Sequence, residues 1–116
     1  MHFKLLIAFV DDSLTKPVIR AARDAGATGA TVASHARGEG SEVRKSFLGL
    51  NLEAQRDILL FVVEEHLARH VLEAISDSGE FEERPGAGIA FQIDIEDAVG
   101  LQHQIKKLSE TVEGVL

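Results

Sequence analysis

The spacing of apolar residues switches from two to about four and back, twice over, and this double switch is what most limits the fold. Residues 3–10, FKLLIAFV, alternate Phe3, Leu5, Ile7 and Phe9 against Lys4, Leu6, Ala8 and Val10. One side is strongly apolar and the other less so, the pattern of a sheet strand. In DDSLTKPVIRAARDAG, Ser13 or Thr15 is the expected N-cap, Pro17 fits only near the first turn, and Gly26 is a stop. Val18, Ala21, Ala22 and Ala25 form the buried stripe of that helix. ATGATVASH reads as a second strand with β-branched Thr28, Thr31 and Val32. DILLFVV, residues 57–63, is a nearly continuous apolar run, as in a central strand.

The same succession then repeats. EEHLARHVLEAISDSG carries Leu67, Val71 and Ile75 at helical intervals, with Glu64 and Glu65 near the positive N-terminal end and Gly79 as its stop. After the turn-rich FEERPGAG, IAFQIDI sets Ile89, Phe91, Ile93 and Ile95 inward against Ala90, Gln92, Asp94 and Glu96 outward. From Leu101 onward, Leu101, Ile105, Leu108, Val112 and Val115 form a narrow apolar seam on a C-terminal helix.

The order β-α-β-loop-β-α-β plus a helix is that of an α+β, ferredoxin-like βαββαβ sandwich. At 116 residues the chain has the length of one domain, taken as 1–116. Both helices on one face of a four-stranded sheet leave the other face bare. The outward positions Leu6 and Val10, the small residues of the second strand and the C-terminal seam point to its burial in an oligomer.

Nineteen acidic residues against twelve Lys plus Arg give a net charge of −7, which disfavours nucleic acid and anionic membranes. With no cysteine, disulfides, a thiol nucleophile and cysteine-ligated zinc are excluded. MHFKLLIAFVDD lacks the cationic start of a signal peptide and the ~20-residue length of a membrane span, so no direct membrane insertion and a cytoplasmic location are expected.

The connection from about 36 to 55 is far longer than a compact domain needs, and loops of that length commonly carry function. At its base Arg37 offers a planar cation, while Gly38 and Gly40 let backbone N–H groups approach an anion. A second glycine pair, Gly86 and Gly88 in PGAG, borders the fourth strand, so the two pairs are candidates to line one cleft, within a subunit or across subunits. Arg44 and Lys45 beside Phe47 and Leu48 are the most adhesive part of the loop and the expected contact for a partner protein.

GATGATVASHARGEG resembles the G-x-T-G-x-T-V segment and the following lysine-glycine-x-glycine turn of the P-II nitrogen regulatory proteins, and PGAGIAFQIDIEDAVGL is similar to a second segment of theirs. The resemblance implies a homotrimer that binds adenine nucleotides (ATP, ADP or AMP) in clefts between subunits. It also implies a mobile loop, here 36–55, that docks on a partner enzyme, transporter or regulator. By this resemblance Thr28, Thr31, Gly38, Gly40, Gly86 and Gly88 fall on nucleotide-cleft positions, with Arg37 and Arg56 standing for lysines. Ala87, Ile89, Gly100 and Gln102 replace an aspartate, a lysine and two arginines. With three cations fewer, the expected guest is a nucleotide with fewer phosphates or another small anion. No tyrosine exists to be uridylylated, and Ser41 falls near the glutamine with which the family places 2-oxoglutarate and Mg²⁺.

Other classes compete with this regulatory reading. His66 and His70 at i, i+4, with Glu73 or Asp77 nearby, are the elements of a divalent-cation-binding trimer of the CutA type, yet two histidines alone are too few ligands. An interaction trimer that binds no ligand is the third reading. No serine lies in a nucleophile elbow and the acidic pairs Glu64–Glu65 and Glu82–Glu83 have no evident nucleophile or base, so an enzyme is not expected.

Overall fold

A computed structural model describes residues 2–34, 46–47, 50–51 and 56–100. The elements are β1 (Phe3–Asp11), a 3₁₀ turn (Asp12–Leu14), α1 (Thr15–Asp24), β2 (Thr31–Ser34), β3 (Ser46–Phe47), β4 (Leu50–Asn51), β5 (Arg56–Glu64), α2 (Glu65–Ser78) and β6 (Gly88–Asp94). β2, β5, β1 and β6 form one antiparallel sheet in that order, and β3 and β4 pair as a separate hairpin. This is the ferredoxin-like arrangement read from the sequence. The C-terminal seam from Leu101 lies outside the described residues.

Register decides which residues share a face. Ala8 pairs with Leu59 on β5 and with Ala90 on β6, while Ile7 pairs with Leu60 and Phe91. The row beneath the helices is therefore Leu6, Ala8 and Val10 with Leu59, Phe61 and Val63, packed against Val18, Ala22 and Ala25 of α1 and Leu67, Ala68, Val71 and Ile75 of α2. Leu6 and Val10, expected to point outward, have no exposure at all, and Ala90 packs against this core. Small residues on β1 and β6 let the helices approach the sheet closely. The expected inward set of the last strand lies on the other face, where Ile93 is 46% exposed.

That helix-free face carries Leu5, Ile7, Ile58, Leu60, Val62, Ile89 and Phe91, all only partly buried. Both sheet faces are thus apolar, and the strongly apolar one is the one the helices leave uncovered.

The helix ends differ in detail from expectation. Neither Ser13 nor Thr15 caps α1, whose N-cap is Leu14 with no side-chain cap; Asp11 caps the preceding 3₁₀ turn, its carboxylate accepting from the Ser13 N–H at 2.9 Å and the Ser13 hydroxyl at 2.7 Å. Thr15 instead sends its hydroxyl to Asp57 Oδ2 at 2.6 Å, tying α1 to β5. Gly26 takes φ +125° just past α1 as a stop should. Gly79 keeps φ −84°, and the left-handed residue after α2 is Glu80, at φ +58°. The second strand starts only at Thr31, because the Ala27 N–H still bonds back to the Ala22 carbonyl and prolongs the helix exit.

Candidate functional site

Antiparallel pairing gathers four strand ends at one edge of the sheet. Asp11 closes β1 opposite Arg56, which opens β5; Ser34 closes β2 opposite Asp57; Gly88 opens β6 opposite Val10. The segment holding Arg37, Gly38 and Gly40 leaves β2 at this end and lies outside the described residues.

The turn before β6 is built to stay there. Its Ala87 N–H donates to the Arg84 carbonyl at 3.0 Å. Gly86 has φ +78°, a conformation that a side chain strains. Gly88 sits so close to Phe81 and to the Phe9 carbonyl that an added Cβ would meet both. Arg56 locks the assembly from β5: its buried guanidinium donates through Nη1 to the Ala87 carbonyl at 2.7 Å and through Nη2 to the Gly86 carbonyl. A planar fork with fixed donor directions suits two adjacent carbonyls better than an ammonium would.

Charge is mixed at this end. Hydrogen bonds from the Ser13 N–H and hydroxyl hold the Asp11 carboxyl below its ordinary range; slight burial opposes them, and the Arg84 and Arg56 cations add to them. Arg84 is half exposed and reaches Glu80 Oε2 at 3.2 Å. Its place in this cluster was not legible in the sequence, where the only signal was a cation one residue before PGAG.

Of the residues expected in the cleft, Arg56, Gly86 and Gly88 come together here. Thr28 and Thr31 do not. Both are exposed, and Thr31 pairs with Leu60, several residues down the sheet from Arg56. β2 and β6 are the two outer strands, three inter-strand spacings or about 14 Å apart. Gly38, Gly40, Arg37, Arg44 and Lys45 lie outside the described residues; Phe47 is described only as a β3 residue paired with Leu50. A groove of about 460 Å³ runs between α2 and β6, lined by Leu72, Asp77, Phe81, Gly88, Ile89 and Ala90 among others; it shares Gly88 with this end of the sheet but includes neither Arg56 nor Thr31.

At the opposite sheet end Glu64 is buried and caps α2, accepting from the His66 N–H at 2.7 Å and meeting His66 Nδ1. Glu64, Glu65 and His66 form a group of described residues whose ligand atoms all lie within 4.8 Å of one another, and His70 does not belong to it. The Glu64 carboxylate is already committed to its capping bonds.

The Nitrogen regulatory protein P-II family profile matches residues 3–104. The chain belongs to the P-II family. Among solved structures it is similar to a PII-like signalling protein from Thermus thermophilus, at 26% identity and TM-score 0.57, over 82% of this chain and 87% of that one. It is also similar to CPII from Thiomonas intermedia, bound to ADP, AMP and acetate, at 21% identity and TM-score 0.63, over 87% and 93%. The same CPII bound to ADP, AMP and bicarbonate matches at 20% identity and TM-score 0.55, over 84% and 91%. No curated protein matches significantly. This P-II protein thus shares its fold with nucleotide-bound relatives, and among its described residues no helix is long and apolar enough to cross a membrane.

Proposed function

We propose that this P-II protein is a homotrimeric regulator, not an enzyme, that holds an adenine nucleotide in clefts between subunits and signals occupancy to a partner protein through residues 36–55. The observation that carries the reading is the split between the two outer strands. The glycine turn held by Arg56 opens β6, whereas Thr31 opens β2 on the opposite edge and Thr28 lies in the connection leading into it. A cleft that uses both is completed by the β2 edge of a neighbouring copy. Repeated head to tail, such a contact closes into a ring. The apolar, helix-free sheet face supplies the surface that ring would bury.

ADP and AMP in CPII support the ligand class, since that protein shares this fold over nearly its whole length. The chemistry agrees. Backbone N–H groups of a glycine turn favour an anion, and Ile89, Gly100 and Gln102 provide no cation for a third phosphate. Ligand binding switches a partner only in proportion to its preference for one state of the regulatory loop.

The test joins light scattering with thermal shift against ATP, ADP, AMP, 2-oxoglutarate, bicarbonate, Cu²⁺ and Zn²⁺. A trimer raised in melting temperature by ADP or AMP is the expected result. Stabilisation by metal alone would favour the divalent-cation reading, and indifference to the whole panel would leave a ligand-free interaction trimer.

A further inference from the structure

Any phosphate that enters the proposed cleft needs a cation with free donor directions. Arg56 is poorly placed for this, because it is buried and spends both Nη1 and Nη2 on the carbonyls of Ala87 and Gly86. Its geometry suits holding the turn. Arg84 has the opposite character. It opens the turn that Arg56 fixes, its carbonyl accepts the Ala87 N–H, and its guanidinium stays half exposed. Its visible partner is Glu80, four residues back, across 3.2 Å on the surface. Such an exposed pair contributes little to stability, so a phosphate dianion can replace the carboxylate.

We propose that Arg84 is the phosphate-facing cation of the cleft and Arg56 the positioning residue that presents it, which suits the site to nucleotides with one or two phosphates over a triphosphate. This rests on the nucleotide reading given above. One exposed guanidinium is matched to one or two phosphate groups, while a triphosphate carries more charge than this single cation offsets. Glu80 then holds Arg84 whenever no nucleotide does.

The experiment is calorimetric titration of the full-length protein with AMP, ADP and ATP, using wild type, Arg84→Gln and Glu80→Gln, with circular dichroism melting as the control for folding. Arg84→Gln should bind ADP roughly tenfold more weakly, the loss of one charge-assisted contact. Glu80→Gln, which frees Arg84, should bind ADP more tightly, a gain that a merely structural role for Arg84 would not produce. Wild type should prefer ADP or AMP to ATP. Unchanged ADP affinity in both variants would overturn the role of Arg84 and leave the nucleotide reading standing. A wild-type preference for ATP would overturn the selectivity. If wild type binds none of the three nucleotides, both readings fall.

Discussion

Arg56 and Ala87 are joined across 31 positions of sequence, Nη1 to carbonyl oxygen at 2.7 Å in a buried setting. This bond, with its twin to Gly86, fastens the turn before β6 to the first residue of β5. Arg56→Gln leaves two carbonyls without their charged donor and should destabilise the fold by at least about 2 kcal/mol in urea denaturation. Arg56→Lys, able to reach one carbonyl but not both, should fall between. A variant as stable as wild type would show that the turn needs no anchor.

Three glycines should respond differently to alanine. At Gly88 the new methyl meets Phe81 and the Phe9 carbonyl, so Gly88→Ala should cost about 2 kcal/mol or more. Gly86→Ala has room but a φ of +78°, and should cost about 1–2 kcal/mol. Gly29 has neither a close neighbour nor a positive φ, so Gly29→Ala should lie within about 0.5 kcal/mol of wild type. Thermal melts of the three variants side by side check the order.

The hydroxyl of Thr15 donates to Asp57 Oδ2 at 2.6 Å, a side-chain tie between α1 and β5. Thr15→Val keeps the shape and removes the donor. Loss of about 1.5 kcal/mol is expected from a hydrogen bond to a charged acceptor, read as a lower urea midpoint at unchanged slope.

Asp11 provides a pH signature. Its folded pKa lies below the unfolded value, through the Ser13 bonds first and then Arg84 and Arg56. Its stabilising contribution is therefore complete above the unfolded value of ~3.9 and is lost as pH falls through the folded one. Wild type should exceed Asp11→Asn in stability at pH 7, and the gap should close in acid below pH ~3.9. A gap that is constant with pH would mean that the Asp11 charge plays no part.

Ile7 lies between Leu60 and Phe91 on the helix-free face. Ile7→Asp places a charge at the centre of the surface proposed to be buried between subunits, without touching the core under the helices. It should shift sedimentation from trimer to monomer with the helical circular dichroism retained. A persistent trimer would place the interface elsewhere.

Much was legible without coordinates. The apolar patterns along residues 3–10, 27–35, 57–63 and 89–95, set against helical spacing in 15–25 and 65–78, gave four strands and two helices in order, because a period of two and one of 3.6 cannot be satisfied by the same backbone. The glycine pair of PGAG likewise announced a turn. The face that the helices cover was not legible. β1 is apolar on both sides, and alternation tells which residues stand together but not which side meets a helix. The small residues Ala8 and Ala90 won that side because a helix packs closest over them.

Sequence by itself determined the element order, the position of the long connection and the family likeness, since these follow from local periodicity and short motifs. Only the tertiary structure decided that Arg56 serves the turn of residues 86–87, that Arg84 closes onto the same turn through the Ala87 N–H, and that Thr31 stands on the opposite edge. The first and last of those relations join residues tens of positions apart, and their partners are set by strand register and packing, which no local pattern encodes.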